Sequence, residues 1–193
     1  MLGLKLPTDP RWVNIAEKNI EEILIDHAFC EQKAASTAIS LIVTYPEYSD
    51  LVTAMTALAK EEMSHFQLVH QKLLERGLTL GRERKDQYVH DIIDFFPKNK
   101  HREARLIQRL LTAALIEARS CERFRVLSEN LEDKELAKFY RDLMVSEANH
   151  YTMFLTFARK YGDREKVDSM WHNLLEYEAK VIANYGNKEH IHG

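Results

Sequence analysis

Glu147-Ala-Asn-His150 and Glu62-Met-Ser-His65 are two copies of one pattern. Each sets a carboxylate and an imidazole three residues apart, so on an α-helix both project from one face. Two side chains placed this way can bind one metal ion. A single pair is weak, because Glu and His are common on helices. Two pairs, each with a lone Glu about thirty residues upstream (Glu31 and Glu117), are a far stronger signal.

The surrounding chain reads as long helices. It has 193 residues, enough for one domain spanning 1-193 with a sizeable core. Gly (6) and Pro (4) are scarce, while 45% hydrophobic and 30% charged residues make an ordinary soluble balance. Met1–Thr8 is a short apolar arm without a clear period. Asp9-Pro10 starts a helical pattern that runs to about Tyr45, with a break near Asn19, and Tyr45-Pro46 stops it. Ser49 or Asp50 caps the next helix, which ends at Gly77. Residues 78–100 form the long connection, with a short helix near 85–95. Further helices follow over 102–130, 133–161 and 164–185, and a polar tail, 187–193, is expected to be mobile.

Two hairpins joined by one long connection make an all-α, ferritin-like four-helix bundle with one crossover plus additional helices. Register supports a shared site. The midpoint between Glu31 and Glu62 falls in the first turn, and that between Glu117 and Glu147 in the second. In an antiparallel hairpin each pair therefore lies level, roughly 22 Å from its turn at about 1.5 Å per residue. Glu117 lies 86 residues after Glu31, while Glu147 and His150 lie 85 after Glu62 and His65, which marks an internal repeat. The ligand set of the di-iron and di-manganese bundles is one Glu from each of two helices and an E-x-x-H from each of the others. Here that set is Glu31, Glu62, His65, Glu117, Glu147 and His150. Hard oxygen and intermediate nitrogen donors suit iron or manganese.

Other candidates read more plainly. Glu21, Glu22, Glu61, Glu103, Glu129 and Glu178 are expected on solvated faces, since Glu is rarely buried unless paired. Glu122 lies off the stripe and matches Ser36 in the repeat, so Glu117 is preferred. His27, His70, His90, His101, His172, His190 and His192 read as core or surface histidines. The small residues Ala34, Ala35, Ala38, Ala113, Ala114 and Ser120 flank the ligands, by close packing or to leave room for dioxygen and an apolar group. Cys121 lies one turn from Glu117, but without a Cys-x-x-Cys it is not taken as a ligand. Two cysteines make no disulfide framework. There is no leader-like start and no apolar run long enough to cross a bilayer, so a cytoplasmic protein is expected.

Ile25-Asp-His-Ala-Phe-Cys-Glu-Gln-Lys-Ala-Ala35, Glu117-Ala-Arg-Ser-Cys-Glu-Arg-Phe124 and Ser146-Glu-Ala-Asn-His-Tyr151 resemble the bacterial MiaE family of tRNA hydroxylases. The resemblance extends over nearly the whole chain, including Asp9-Pro-Arg-Trp12 and 102–109. It implies a non-haem di-iron monooxygenase that hydroxylates the isopentenyl group of a hypermodified adenosine beside the tRNA anticodon. Dioxygen would be co-substrate, and an electron donor protein or reductase would supply two electrons. By the same resemblance Glu62 and Glu147 bridge two iron ions, Glu31 and Glu117 are terminal ligands, and His65 and His150 each bind one iron.

The formal net charge of -3 offers no global field for nucleic acid, so RNA contact must be local. Lys98, Lys100, Arg102 and Arg105 form one basic stretch and Gly81-Arg-Glu-Arg-Lys85 another. Either is a solvated face or a phosphate contact, and the resemblance favours contact. A ferritin-like ferroxidase or a rubrerythrin-like peroxide-handling protein shares the ligand set. The latter usually adds a Cys-x-x-Cys pair, which this chain lacks. A hydroxylase is expected as a monomer or small oligomer.

Overall fold

The computed structural model describes residues 2–9, 11–82, 87–98, 101–185 and 191. Seven helices occur among them, with no strand: α1 (Trp12–Lys18), α2 (Ile20–Thr44), α3 (Ser49–Glu75), α4 (Gln87–Ile93), α5 (Arg102–Asn130), α6 (Lys134–Tyr161) and α7 (Arg164–Tyr185). The helix ends follow from local chemistry. Asn19, at φ -130° and ψ 39°, interrupts the first helical stretch. Pro46 disfavours helical backbone in the residue before it, and Tyr45 is the last whose N–H reaches back into α2, to Leu41 O. Gly77 adopts φ +70°, which lets Leu78 N–H reach Leu73 O and Gly77 N–H reach Leu74 O, closing α3 in a Schellman motif. Asp133 caps α6 by accepting a hydrogen bond from Leu136 N–H at 3.0 Å. Ser49 is helical, and the N-cap of α3 is Tyr48, without a side-chain hydrogen bond.

The chain forms two compact units. One, Lys18–Lys85 with Glu189–Ile191, is the α2–α3 hairpin. Its core stripe comprises Leu24, Ala28, Glu31, Ala35, Ala38 and Leu41 on α2 and Leu51, Met55, Leu58, Glu62, His65 and Val69 on α3. Ile191 is buried, and its N–H donates to Asp26 Oδ2 at 2.8 Å, so this residue of the tail is anchored. The rest of 187–193 lies outside the described residues.

The other unit, Met1–Glu17 with Asp86–Lys188 and His192–Gly193, contains α1 and α4 to α7. The α5–α6 hairpin repeats the pattern of the first, with Leu110, Ala113, Ala114, Glu117, Cys121 and Phe124 facing Tyr140, Leu143, Glu147, His150 and Phe154. α5 is also buried on a further face, which packs against α4, α7 and the N-terminal arm. There Arg119, with no exposed surface, donates to Glu178 Oε1 of α7 at 2.6 and 2.9 Å, to Glu122 at 3.3 Å and to Leu6 O at 3.0 Å. Tyr88 of α4 donates to the same Glu178 oxygen at 3.2 Å. Glu122 in turn accepts from Thr8 N–H at 3.1 Å and from the Thr8 hydroxyl. The Arg123 guanidinium stacks 4.1 Å from the Trp12 ring centroid.

This network corrects the expectation for Glu178. It is buried, because the core stripe of α7 runs through Trp171, Leu174, Glu178 and Val181 rather than through Ala179 and Ile182. Burial pushes its carboxyl up, and Arg119 opposes that push. Removing one partner of a buried pair strands the other's charge. Glu178→Leu should therefore cost about 3–5 kcal/mol, a Tm loss of roughly 6–20 °C for a chain of this size. The double variant Arg119→Met/Glu178→Leu should fall less far than the single one. Circular dichroism melts check both, and an unchanged Tm for Glu178→Leu would remove the pair from the account of stability.

Candidate metal centre

Each hairpin buries its own half of the predicted ligand set. On α2, Glu31 shares a buried face with Leu24, His27, Ala28, Ala35 and Ala38. On α3, Glu62 and His65 are one helical turn apart on the stripe between Leu58 and Val69. One donor atom from each of Glu31, Glu62 and His65 lies within 4.8 Å of the others. His65 Nδ1 is 3.4 Å from Glu62 Oε2 and 3.6 Å from Glu31 Oε2. All three are nearly inaccessible to water.

Burial alone would raise the Glu31 carboxyl, but hydrogen bonds from His27 and His65 outweigh it and hold the group well below the usual carboxylate range. Burial would lower His65, and the two facing carboxylates instead raise it to about 9. These groups therefore call for positive charge, and a bound cation can replace the imidazole proton in that role.

In the α5–α6 hairpin, His150 Nδ1 is 3.7 Å from Glu117 Oε2. Glu147 precedes His150 by one turn of α6 and is equally buried. Four buried carboxylates and two buried imidazoles, divided evenly between the hairpins, fit the donor preferences of iron or manganese. The Cys121 thiol donates to Met144 O at 3.4 Å, and burial together with Glu117 and Glu122 pushes it up to about 11. Cys121 is in neither group of described side chains whose donor atoms converge closely enough to hold a metal ion.

Sequence reasoning missed two features near the ligands. His27 is buried and bonded to Glu31, with Nε2 2.6 Å from Oε1. The available signal was its spacing, one helical turn before a Glu on the same stripe. Glu122 is as buried as the ligands, yet it serves Thr8 and Arg119 instead. Among the basic residues proposed for RNA, Lys98, Arg102 and Arg105 are exposed, while Lys100 and residues 83–85 lie outside the described residues.

A hairpin that buries Glu, Glu and His together, repeated once in the chain, defines the ferritin-like di-metal carboxylate class. The profile of MiaE, described as tRNA-(MS[2]IO[6]A)-hydroxylase, matches residues 2–193. The chain belongs to the MiaE family. A Pseudomonas putida relative named tRNA 2-(methylsulfanyl)-N(6)-isopentenyladenosine(37) hydroxylase is 40% identical over 98% of this chain and 91% of its own length. A Salmonella typhimurium relative of the same name is 27% identical, over 98% of this chain and 87% of its own. A solved structure described as protein 43 with aldehyde deformylating oxygenase activity, from Synechococcus, matches with a TM-score of 0.91 at 32% identity. It covers 98% of this chain and 95% of that one.

Metal content tests the ligand assignment. Protein reconstituted with ferrous iron should hold about two ions per chain, as the di-metal class does. Glu62→Ala and His150→Ala should each lower that number in elemental analysis after gel filtration. Full retention by both variants would sink the assignment.

Proposed function

We propose that this chain is a non-haem di-iron monooxygenase that hydroxylates the isopentenyl group of the hypermodified adenosine beside the tRNA anticodon. The observation that carries the reading is the 40% identity to the Pseudomonas putida hydroxylase along nearly the full length of both chains. In this proposal the two units act as one domain, and Glu31, Glu62, His65, Glu117, Glu147 and His150 hold the two iron ions, with dioxygen as co-substrate. The ferroxidase and peroxide-handling alternatives give way to the family membership.

The iron pair supplies the oxidising power that no amino-acid side chain has. One oxygen atom of dioxygen enters a methyl C–H bond to give the alcohol. The other leaves as water, with two electrons and two protons delivered through a donor protein. The chain's own residues hold the ligands and exclude water. Leu58 and Val69 beside Glu62 and His65, and Leu143 and Phe154 beside Glu147 and His150, make apolar surroundings that protect an oxidising site from solvent. The tRNA substrate agrees with a cytoplasmic location, and no helix among the described residues is long and apolar enough to cross a membrane.

A second reading comes from the Synechococcus structure, which is described by its activity on aldehydes. One assay separates the two. Reduced enzyme, dioxygen and isopentenyl-bearing tRNA should yield a nucleoside heavier by one oxygen atom in mass spectrometry of the digest. Loss of the carbonyl carbon from an added aliphatic aldehyde, with no mass gain on any such tRNA, would replace the first reading with the second.

We place tRNA contact at the exposed Lys98, Arg102 and Arg105 together with Lys100. Phosphate contacts position a substrate without reading its bases. Replacing Lys98, Arg102 and Arg105 by Gln should weaken tRNA binding at low salt. It should also reduce the slope of log K against log salt by roughly two to three, at about 0.7–0.9 per lost contact. Unchanged affinity and slope in a filter-binding titration would move the contact elsewhere.

A further inference from the structure

The first hairpin buries one more imidazole than the ligand set requires. His27 lies one turn before Glu31 on α2, has no exposed surface, and brings Nε2 to 2.6 Å from Glu31 Oε1. An ionised carboxylate only accepts hydrogen bonds, so Nε2 carries the hydrogen and His27 donates. The other oxygen, Oε2, faces His65 Nδ1 at 3.6 Å. The two oxygens of Glu31 are thereby divided, one bound to an imidazole of its own helix and one turned towards His65. In the second hairpin the matching position, four residues before Glu117, is Ala113. A methyl group cannot donate, so the repeat that relates the ligands breaks at this point.

We propose that His27 is a positioning residue that holds Glu31 as a one-oxygen ligand and makes the two metal positions unequal. The position built on Glu31 and His65 fills first and binds more tightly than the one built on Glu117 and His150. The inference rests on the metal-centre reading above. A carboxylate already fixed by a donor gives up less rotamer freedom when a cation arrives. Hydrogen-bonded partners of ligands commonly change metal affinity about 10–100-fold.

Equilibrium dialysis of the full chain against Co(II), a redox-stable stand-in for ferrous iron, reads this without catalysis. The wild type should bind two ions in two resolved steps. His150→Ala should keep the tighter step and His65→Ala should lose it. His27→Leu should weaken the tighter step about 10–100-fold and leave the weaker one unchanged. His27→Gln, whose Nε2 reaches the place of the imidazole Nε2, should restore most of the affinity. A residue that merely fills the core would not distinguish Gln from Leu. Should the Leu variant fail to fold, His27→Asn replaces it, since its shorter side chain cannot bring a donor to Glu31. Two equal steps in the wild type, or equal losses in the Gln variant and its comparison variant, would overturn the inference alone. Fewer than two Co(II) per wild-type chain would overturn the metal-centre reading and this inference with it.

Discussion

A carboxylate buried between helices must be given back the charge and hydrogen bonding that water supplied. The described residues bury six glutamates to 5% exposure or less: Glu31, Glu62, Glu117, Glu122, Glu147 and Glu178. Two of them are compensated within the protein, by Arg119, Thr8 and Tyr88. The other four lie on the hairpin stripes beside imidazoles, His27 and His65 at Glu31, His65 at Glu62, and His150 at Glu117 and one turn from Glu147. The imidazole-paired set is the one proposed to hold metal. The same side chain at the same depth has different partners in the two sets, a guanidinium and hydroxyls in one and imidazoles in the other.

Helix α5 displays both solutions. Glu117 faces α6 with His150, whereas Arg119 and Glu122 tie α5 to α7 and to the N-terminal arm. The run from Glu117 to Phe124 is thus one stretch of sequence with two duties. Its inward face carries the small, buried Ala113, Ala114 and Cys121 beside Glu117. Its network residues need cover from elements distant in sequence, which α7 and residues 6–8 provide. The fifth long helix and the arm, which carry no motif of their own, earn their place through that cover.

Much of this was legible in the chain. Pro46, Gly77 and Asp133 mark helix boundaries because backbone chemistry at those points is local. Glu31, Glu62, His65, Glu117, Glu147 and His150 could be picked out because they interrupt apolar stripes at matching heights in two hairpins. Glu178 and Glu122 escaped because their burial depends on partners about sixty and 115 residues away in sequence, Arg119 and Thr8 respectively. No periodicity in α5 or α7 alone reveals that docking. In α7 the apolar Ala179 and Ile182 are only half-buried, while their neighbours Glu178 and Val181 are buried. His27 escaped for a different reason, since an imidazole on an apolar face is ambiguous until its hydrogen-bond partner is known.

The two hairpins also hold their outer carboxylates by different means. Glu117 projects from a helix whose backbone is restrained by the Arg119–Glu178 pair, Glu122 and the arm. Among the described residues of its own compact unit, the α2–α3 hairpin has no further long helix. There the restraint acts on the side chain itself, through the hydrogen bond from His27 to Glu31. A rigid helix fixes where a carboxylate starts but leaves its rotamers open, while a direct donor fixes the oxygens. Duplication of a hairpin would make two equal half-sites. The packing of α7 on one copy and the imidazole at residue 27 in the other make them differ, one through the helix that carries its carboxylate and one through a direct donor to the carboxylate itself.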